Sequence, residues 1–395
     1  MKNKILTSIL SAAVLLSGCS ASRPENFPED NPCNHIDIYT IMETENGYYT
    51  NAHGEPDFWN SISLKFIEKG TGKRVYLCAR PECMHDGSEM CTATYKHLES
   101  LGSVLYNGAI YTLATENING AVSCSIYRSA LDGSSITRVG SVVSVNNVKD
   151  EDYSCSGTDF IIHKGYAYVS YHLSFGGTMF GFAGSGLARM NLADGSSEIL
   201  YSGENYYSEV PCELQGSGDY VYYSIWGGRS ESGAYAYNIK DGTAEKLDFI
   251  NTNCGYVAGE RVFVTYSYQF MEDYDYTFKP HEICTVNKET GEVTNLVHIE
   301  EPAQHCEYAL PYKDMIIVTL DSGVYVYSEA GELLTAAEHM SPENYHKSSS
   351  LNALCGTAIV GDKLYLYDVG NFYSCPIDDI LAGGGSWKHE YDVYA

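Results

Sequence analysis

KGYAYVSY, Lys164 to Tyr171, reads as a two-residue turn feeding a strand. Tyr166, Tyr168 and Ser170 fall on one side and Ala167, Val169 and Tyr171 on the other, the period of two that a pleated strand imposes. The turn pair suits a tight hairpin whose central residues take positive φ. The same phrase recurs along the chain: Asn107-Gly108 before AIYTLA, Gly218-Asp219 before YVYYSI, Gly259-Glu260 before RVFVTY, Lys313-Asp314 before MIIVTL and Gly361-Asp362 before KLYLYD. Asn46-Gly47 before YYT makes a first copy. A second phrase, a strand running into another tight turn, ends at Gly72, Gly133, Gly195, Gly242, Gly291 and Gly331.

Taken together, each unit holds four short strands, A to D. The first-turn glycines lie about 40 to 57 residues apart, the spacing of propeller blades. The expected fold is all-β, a β-propeller of seven four-stranded blades near 33–78, 100–144, 157–202, 213–249, 254–299, 306–335 and 354–394. Six or eight blades also fit, because 335–354 is ambiguous. Two stacked β-sandwiches are the competing architecture, but they rarely repeat one pair of turns so often. No segment keeps a helical apolar period for three turns; the stretch around Ile380-Leu381 is a short exception.

The N-terminal residues carry an address. Lys2 and Lys4 precede an apolar run, Ile5 to Leu16, too short to span a bilayer as a helix. The run ends in Leu16-Ser17-Gly18-Cys19, which resembles a bacterial lipobox. That resemblance implies a signal peptide over 1–18, lipidation at Cys19, and anchoring to the outer side of the cytoplasmic membrane. Residues 19–32, with three prolines and little apolar content, read as a flexible tether. The propeller domain then fills 33–395. Asp and Glu number 51 against 24 Lys and Arg, a net charge of −27. Such a surface repels phosphate backbones, so nucleic acid is excluded as a main partner.

The lipobox, the tyrosine-rich units and hairpins such as IYRSALDG resemble TolB-like propeller lipoproteins of Gram-positive anaerobic bacteria, many of which carry a domain of unknown function. LCARPECMH, Leu77 to His85, followed by Cys91 and Ala93, is similar to a cysteine-rich signature of that group. The likeness covers nearly all of the mature chain and implies fold and location, not an activity.

In a four-stranded meander the A–B and C–D turns share one face, and the B–C loops and D–A crossovers share the other. Here the first pair is tight and the second carries the length, as in 51–59, 171–186, 267–281 and the stretch 78–100. Long loops on a rigid scaffold are where binding residues gather, so this face is the expected working surface. Three clusters are assigned to it. Cys78, Cys83, His85 and Cys91 offer three thiols and an imidazole. An exported chain favours disulfides among them, with Cys33 joining the group; a Cys₃His zinc site is the alternative, although one residue between Cys83 and His85 strains a tetrahedron. Phe175, Phe180 and Phe182, in a glycine-rich loop, either stack on a sugar or apolar partner or fold over the blade as a lid. Glu272, Asp273, Tyr274, Asp275 and Tyr276 suit a sugar or basic ligand, with calcium as an alternative and a solvated acidic loop as the plainer reading.

The remaining cysteines fall at the starts of A or C strands. The expected bridges are Cys124–Cys155, Cys284–Cys306 and Cys355–Cys375, with Cys212–Cys254 a fourth. No G-x-S-x-G elbow, H-E-x-x-H helix, P-loop or G-x-G-x-x-G string occurs. The sequence therefore points to a non-catalytic propeller that binds a glycan or protein at the cell surface, with no resident cofactor. A glycan-active enzyme using Glu272, Asp273 or Asp275 is one alternative, and a structural module of an envelope complex is another.

Overall fold

A computed structural model describes residues 41–392, apart from 54–60, 86–90, 97–98, 119–120, 147–152, 176–181, 204–209, 227–232, 248–254, 259–260, 267–280, 287–292, 300–305, 321–322, 339–355, 369–370 and 386. Among the described residues the strands form seven antiparallel sheets, each built from one continuous stretch of chain. The first comprises β1 (Ile41–Glu43), β2 (Gly47–His53), β3 (Ser61–Glu68), β4 (Arg74–Tyr76) and β5 (Thr94–Lys96). The second runs from β6 (Glu99–Tyr106) through β7 (Ala109–Ile118) and β8 (Ala121–Ala130) to β9 (Ile136–Asn146). The third holds β10 (Tyr153–His163), β11 (Tyr166–Phe175), β12 (Phe182–Asn191) and β13 (Ser197–Gly203). The fourth holds β14 (Val210–Ser217), β15 (Tyr220–Trp226), β16 (Gly233–Asn238) and β17 (Ala244–Lys246). The last three span 255–299, 306–338 and 356–392, again as four-strand meanders. Each of these sheets contains one of the A–B turns read from the sequence.

The turns behave as their residues dictate. Asn107 and Gly108 have φ of 45° and 71°, and Lys164 and Gly165 have 49° and 80°. Both are two-residue hairpins with left-handed central residues, the geometry that matches strand twist. The C–D turns repeat a second device. Asp132, Asp194 and Asp241 each accept the N–H two residues on, from Ser134 (2.9 Å), Ser196 (2.8 Å) and Thr243 (3.0 Å). The following glycine takes positive φ in all three. The short helix Ile377–Leu381 stands in place of the C–D turn of the last sheet and buries Ile377 and Ile380.

Apolar side chains pack between consecutive sheets. Leu113, Ile126, Phe160, Val169 and Met190 join the second to the third; Ile161, Tyr168, Leu214 and Tyr223 join the third to the fourth. Leu64 and Leu77 meet Ile110 and Ala114 between the first and second, and Ile317 and Val326 meet Leu364 and Cys375 between the sixth and seventh. Face-to-face burial between consecutive sheets at these four joints is the packing of blades, not of a two-layer sandwich.

Polar latches reinforce the same joints at the A–B turns. The Gly165 N–H donates to the Tyr106 hydroxyl (3.1 Å), His163 Nε2 donates to the Gly218 carbonyl (2.9 Å), and the Tyr312 hydroxyl donates to Asp362 (2.5 Å). In each case the residue before one sheet's A–B turn reaches the turn of the next. Lys164 pairs with Asp219 (2.7 Å) across the same third-to-fourth joint. The buried Asp159 carboxylate accepts from the Phe160 N–H (2.8 Å) and the Leu214 N–H (2.7 Å), tying those two sheets again at the β-bulge in β10.

Two expectations need correction. The first unit does not end near 78: β4 pairs Ile67 to Lys65 of β3, and β5 continues the same edge against Ser63 to Ser61. Residues 77–93 are thus an insertion splitting an outer strand, and the crossover to the second sheet is only 97–98. Secondly, the glycine-rich segment is not all loop. Gly184 and Gly186 lie within β12, and Gly186 is required there because a Cβ would stand 2.4 Å from the Tyr201 carbonyl and 2.5 Å from the Tyr171 hydroxyl.

Candidate metal centre

The insertion leaves β4 at Leu77, whose N–H donates to the Leu64 carbonyl (2.9 Å), and returns at Ala93, whose carbonyl accepts from the Leu64 N–H (2.8 Å). Both ends are thus fixed by one residue of β3. Buried Leu77, Cys91 and Ala93 seat the base of the insertion in the core between the first two sheets. Ala79 N–H and the Thr92 hydroxyl both donate to the Gly133 carbonyl, at 3.1 Å and 2.7 Å. Gly133 belongs to the C–D turn of the second sheet, so the insertion rests on the tight-turn side. The sequence reading placed it on the long-loop face, because an inserted segment between two strands looks like a crossover until the pairing of β5 is known.

Within it, ligand atoms of Cys78, Cys83, His85 and Cys91 all lie within 4.8 Å of one another. His85 Nδ1 faces the Cys91 sulfur at 3.8 Å. His85 has φ of 56°, a left-handed conformation costly for a residue with a Cβ. That turn answers the objection from spacing: it folds the chain back so that an imidazole one residue beyond Cys83 still faces the sulfurs. Tyr76 stacks on the imidazole, with ring centroids 4.5 Å apart and planes 21° apart. Met84, between the two ligands, is 84% exposed.

The thiols are not equivalent. Burial pushes Cys78 up, but the Thr92 hydroxyl and N–H, the Arg80 N–H and the Cys83 thiol outweigh it and lower Cys78 to about 7. Cys83 gains from the His85 N–H, yet burial and the sulfurs of Cys91 and Cys78 hold it above an ordinary thiol. Amide donors thus aim at two sulfurs, each from two residues ahead, while neighbouring sulfurs oppose a second negative charge.

The bridge expectations fare differently. Cys124 on β8 and Cys155 on β10 do meet across the second and third sheets, where C-strand and A-strand starts were expected to converge. Their sulfurs stand 2.9 Å apart as thiols, well beyond an S–S bond of ~2.05 Å. The Cys155 sulfur beside it and complete burial push Cys124 well above an ordinary thiol, so it holds its proton. The Cys212 thiol donates to the Ser224 carbonyl (3.5 Å) and the Cys375 thiol to the Pro376 carbonyl (3.5 Å). The expected partners Cys254 and Cys355 lie outside the described residues. Cys284 lies in the strand His281–Val286, and Cys306 opens the strand Cys306–Tyr312. Cys19, Phe180 and the run Glu272, Asp273, Tyr274, Asp275, Tyr276 also lie outside the described residues. Phe175 closes β11 and Phe182 opens β12, paired with Ser174.

Sequence reasoning missed a second buried polar group. Glu116, on β7, accepts from Arg138 Nε (2.7 Å), from Ser125 and from Tyr127. These four residues come from three adjacent strands of one sheet, and the ion pair lies under the outer edge. It fills its own hydrogen bonds and reads as structural.

No family model and no curated protein matches this sequence. Solved structures do. A prolyl endopeptidase superposes with a TM-score of 0.54 at 10% identity, over 97% of this chain and 53% of that one. A GH74 enzyme from Niastella koreensis gives 0.53 at 12% identity, over 93% and 56%. An oligogalacturonate lyase from Vibrio parahaemolyticus gives 0.50 at 12% identity, over 86% and 88%. The fold is a β-propeller. At these identities the likeness is one of fold alone, and this propeller spans about half the length of the first two.

Proposed function

We propose that this propeller is an extracytoplasmic binding protein, lipid-anchored through Cys19 to the outer side of the cytoplasmic membrane, that engages a glycan or protein through its B–C and D–A connections. The observation that carries the reading is the inequality of the two faces. Every A–B connection is two or three residues. The B–C connections of the first, third, fourth and fifth blades are instead 54–60, 176–181, 227–232 and 267–280, and the D–A connections include 147–152, 204–209 and 339–355. Those of the second, sixth and seventh blades are short (119–120, 321–322 and 369–370), so three of the four extended B–C connections, those of the third to fifth blades, belong to one arc of the ring. A rigid ring with extended loops on one side suits recognition. Phe175, Phe180, Phe182 and the acidic run at 272–276 all belong to two of these long connections or their edges.

A second reading is that the same arc acts on a glycan. It is favoured by the three superposed structures, all enzymes built on this fold. Glu272, Asp273 and Asp275 are then the candidate acid and base.

One experiment separates the two. A soluble form beginning at Asn34 is applied to a glycan array and, in parallel, used to retain envelope proteins from cells, with products of any bound glycan followed by mass spectrometry. Saturable binding without products, lost in Phe180→Ala, supports the binding reading. Products that vanish in Glu272→Gln or Asp273→Asn replace it with the enzyme. Binding that survives deletion of both long loops overturns both. Incorporation of labelled palmitate by the full chain, abolished in Cys19→Ala, tests the anchor separately.

A further inference from the structure

We propose that Cys78, Cys83, His85 and Cys91 bind one zinc ion, which closes the insertion in the outer strand of the first blade and fixes it on the second.

The geometry is already close to a coordination sphere. Four ligand atoms lie within 4.8 Å of one another, contributed by a single stretch of fourteen positions, 78 to 91. Tetrahedral zinc with Zn–S near 2.3 Å and Zn–N near 2.0–2.1 Å sets its ligands roughly 3.5–4 Å apart. A contraction of about an ångström, within a loop, completes the site. The Nδ1 edge of His85 faces the Cys91 sulfur at 3.8 Å, so Nδ1 is the nitrogen presented to the ion. Tyr76 stacks on that ring from one side and restricts its rotation.

The donor set also argues against a disulfide as the purpose of the cluster. Among the described residues, pairing any two of the three cysteines leaves the third thiol and the imidazole without a role; Cys33, expected to join the group, lies outside the described residues. Zinc takes such groups as thiolates and a neutral imidazole, and binds with release of the thiol protons. Three thiolates and an imidazole select a soft or borderline ion in four-coordination, which is zinc rather than calcium or magnesium. With four protein ligands the sphere is closed, so the ion is structural.

Its consequence is local. Among its described residues the insertion carries no strand of its own between Leu77 and Ala93, and two of its hydrogen bonds to the second blade, from Ala79 and Thr92, converge on one carbonyl, that of Gly133. The ion supplies the missing internal cross-link and presents the exposed Met84 at a fixed place on the rim.

The full-length chain, purified in detergent under reducing conditions without chelator, is expected to carry one zinc per chain by elemental analysis. Exchange with Co²⁺ is expected to give thiolate charge-transfer bands and the intense visible bands of a tetrahedral site. Cys83→Ser and His85→Ala are each expected to weaken zinc at least about tenfold in competition with a chromophoric chelator, whereas Cys212→Ser leaves it unchanged. Chelation of the wild type is expected to expose residues 78–93 to protease while the β-sheet circular dichroism persists. Reduced wild-type protein lacking zinc and giving no cobalt–thiolate bands overturns the proposal, and so does quantitative bridging among Cys78, Cys83 and Cys91 in chain isolated from cells. Should the variants fail to fold, the cobalt spectrum of the wild type decides alone.

Discussion

Asp219 shows how a turn residue becomes a joint. With Gly218 it forms the A–B turn of the fourth blade, yet its carboxylate is claimed by Lys164 from the third blade and Lys240 from its own C–D turn. The Lys164 and Lys240 bonds outweigh burial and lower Asp219 to about 2. A carboxylate depressed in the folded state contributes its full stability above its unfolded pKa of ~3.9. That contribution is lost as pH falls through about 2. Lys240 is 71% exposed and Asp219 32%, so solvent screens the pair and it is worth ~1 kcal/mol or less. Asp219→Asn is therefore expected to flatten the stability profile between about pH 4 and pH 2 and to leave its shape above pH 5 unchanged. Urea unfolding across that range reads the slope; a profile identical to wild type removes the latch from the energetics. At this scale the sequence was informative about conformation and silent about partners. Asp-Gly-Ser and Asp-Gly-Thr announced their turns, because a side-chain oxygen and its own backbone settle that geometry locally. That Lys164 and His163 reach a turn 55 residues ahead depends on where the next blade is placed, which no local pattern encodes.

Strands were legible wherever alternation was clean, and misjudged where glycine broke it. The phrase FAGSG at 182–186 looks like loop because it lacks β-branched side chains, but β12 runs straight through it. Gly186 sits opposite Tyr171 on β11 and Ser202 on β13, beside the Tyr201 carbonyl, and its missing side chain is the space that the Tyr171 ring occupies. Gly186→Ala must displace a backbone carbonyl and a buried tyrosine, an overpacking expected to cost about 1–3 kcal/mol. Gly384→Ala, where the nearest atom to a new Cβ is an ordinary 3.6 Å away, is expected to change stability by less than about 0.5 kcal/mol. Urea midpoints of the two variants make the comparison, and equal effects would mean that Tyr171 repacks freely. The same blindness hid the split strand of the first blade. RVY and TYK are three residues each, too short to carry a period, and only their shared register on β3 reveals one edge. The cysteine cluster was legible as a set of ligands and illegible as a place.

Seven units of one phrase implied a ring, and the ring in turn raises the question of how it closes. Among the described residues each blade is built from one continuous stretch, so no strand passes between the last blade and the first. Side chains meet there instead: Tyr48 of β2 and Tyr365 of the last blade stand edge to face at 6.3 Å, each 3% exposed. Joints inside the series have chain continuity as well as packing, since a crossover enforces proximity of neighbouring blades. The closing joint has packing without that covalent help, and its separation requires no other joint to break. Tyr365→Ala removes a large buried ring from it, a change typically costing about 3–5 kcal/mol in a core. The expected signature is spatial. Amides of β1, β2 and of the strands Gly356–Val360 and Lys363–Asp368 are expected to lose hydrogen-exchange protection, while β10 to β16 keep theirs. Tyr223→Ala, within the joint of the third and fourth blades, is expected to spread its loss across both flanking blades and to lower the global midpoint as well. If Tyr365→Ala instead lowers protection evenly around every blade, the ring unfolds as one cooperative unit, and closure is no weaker than any joint in the series.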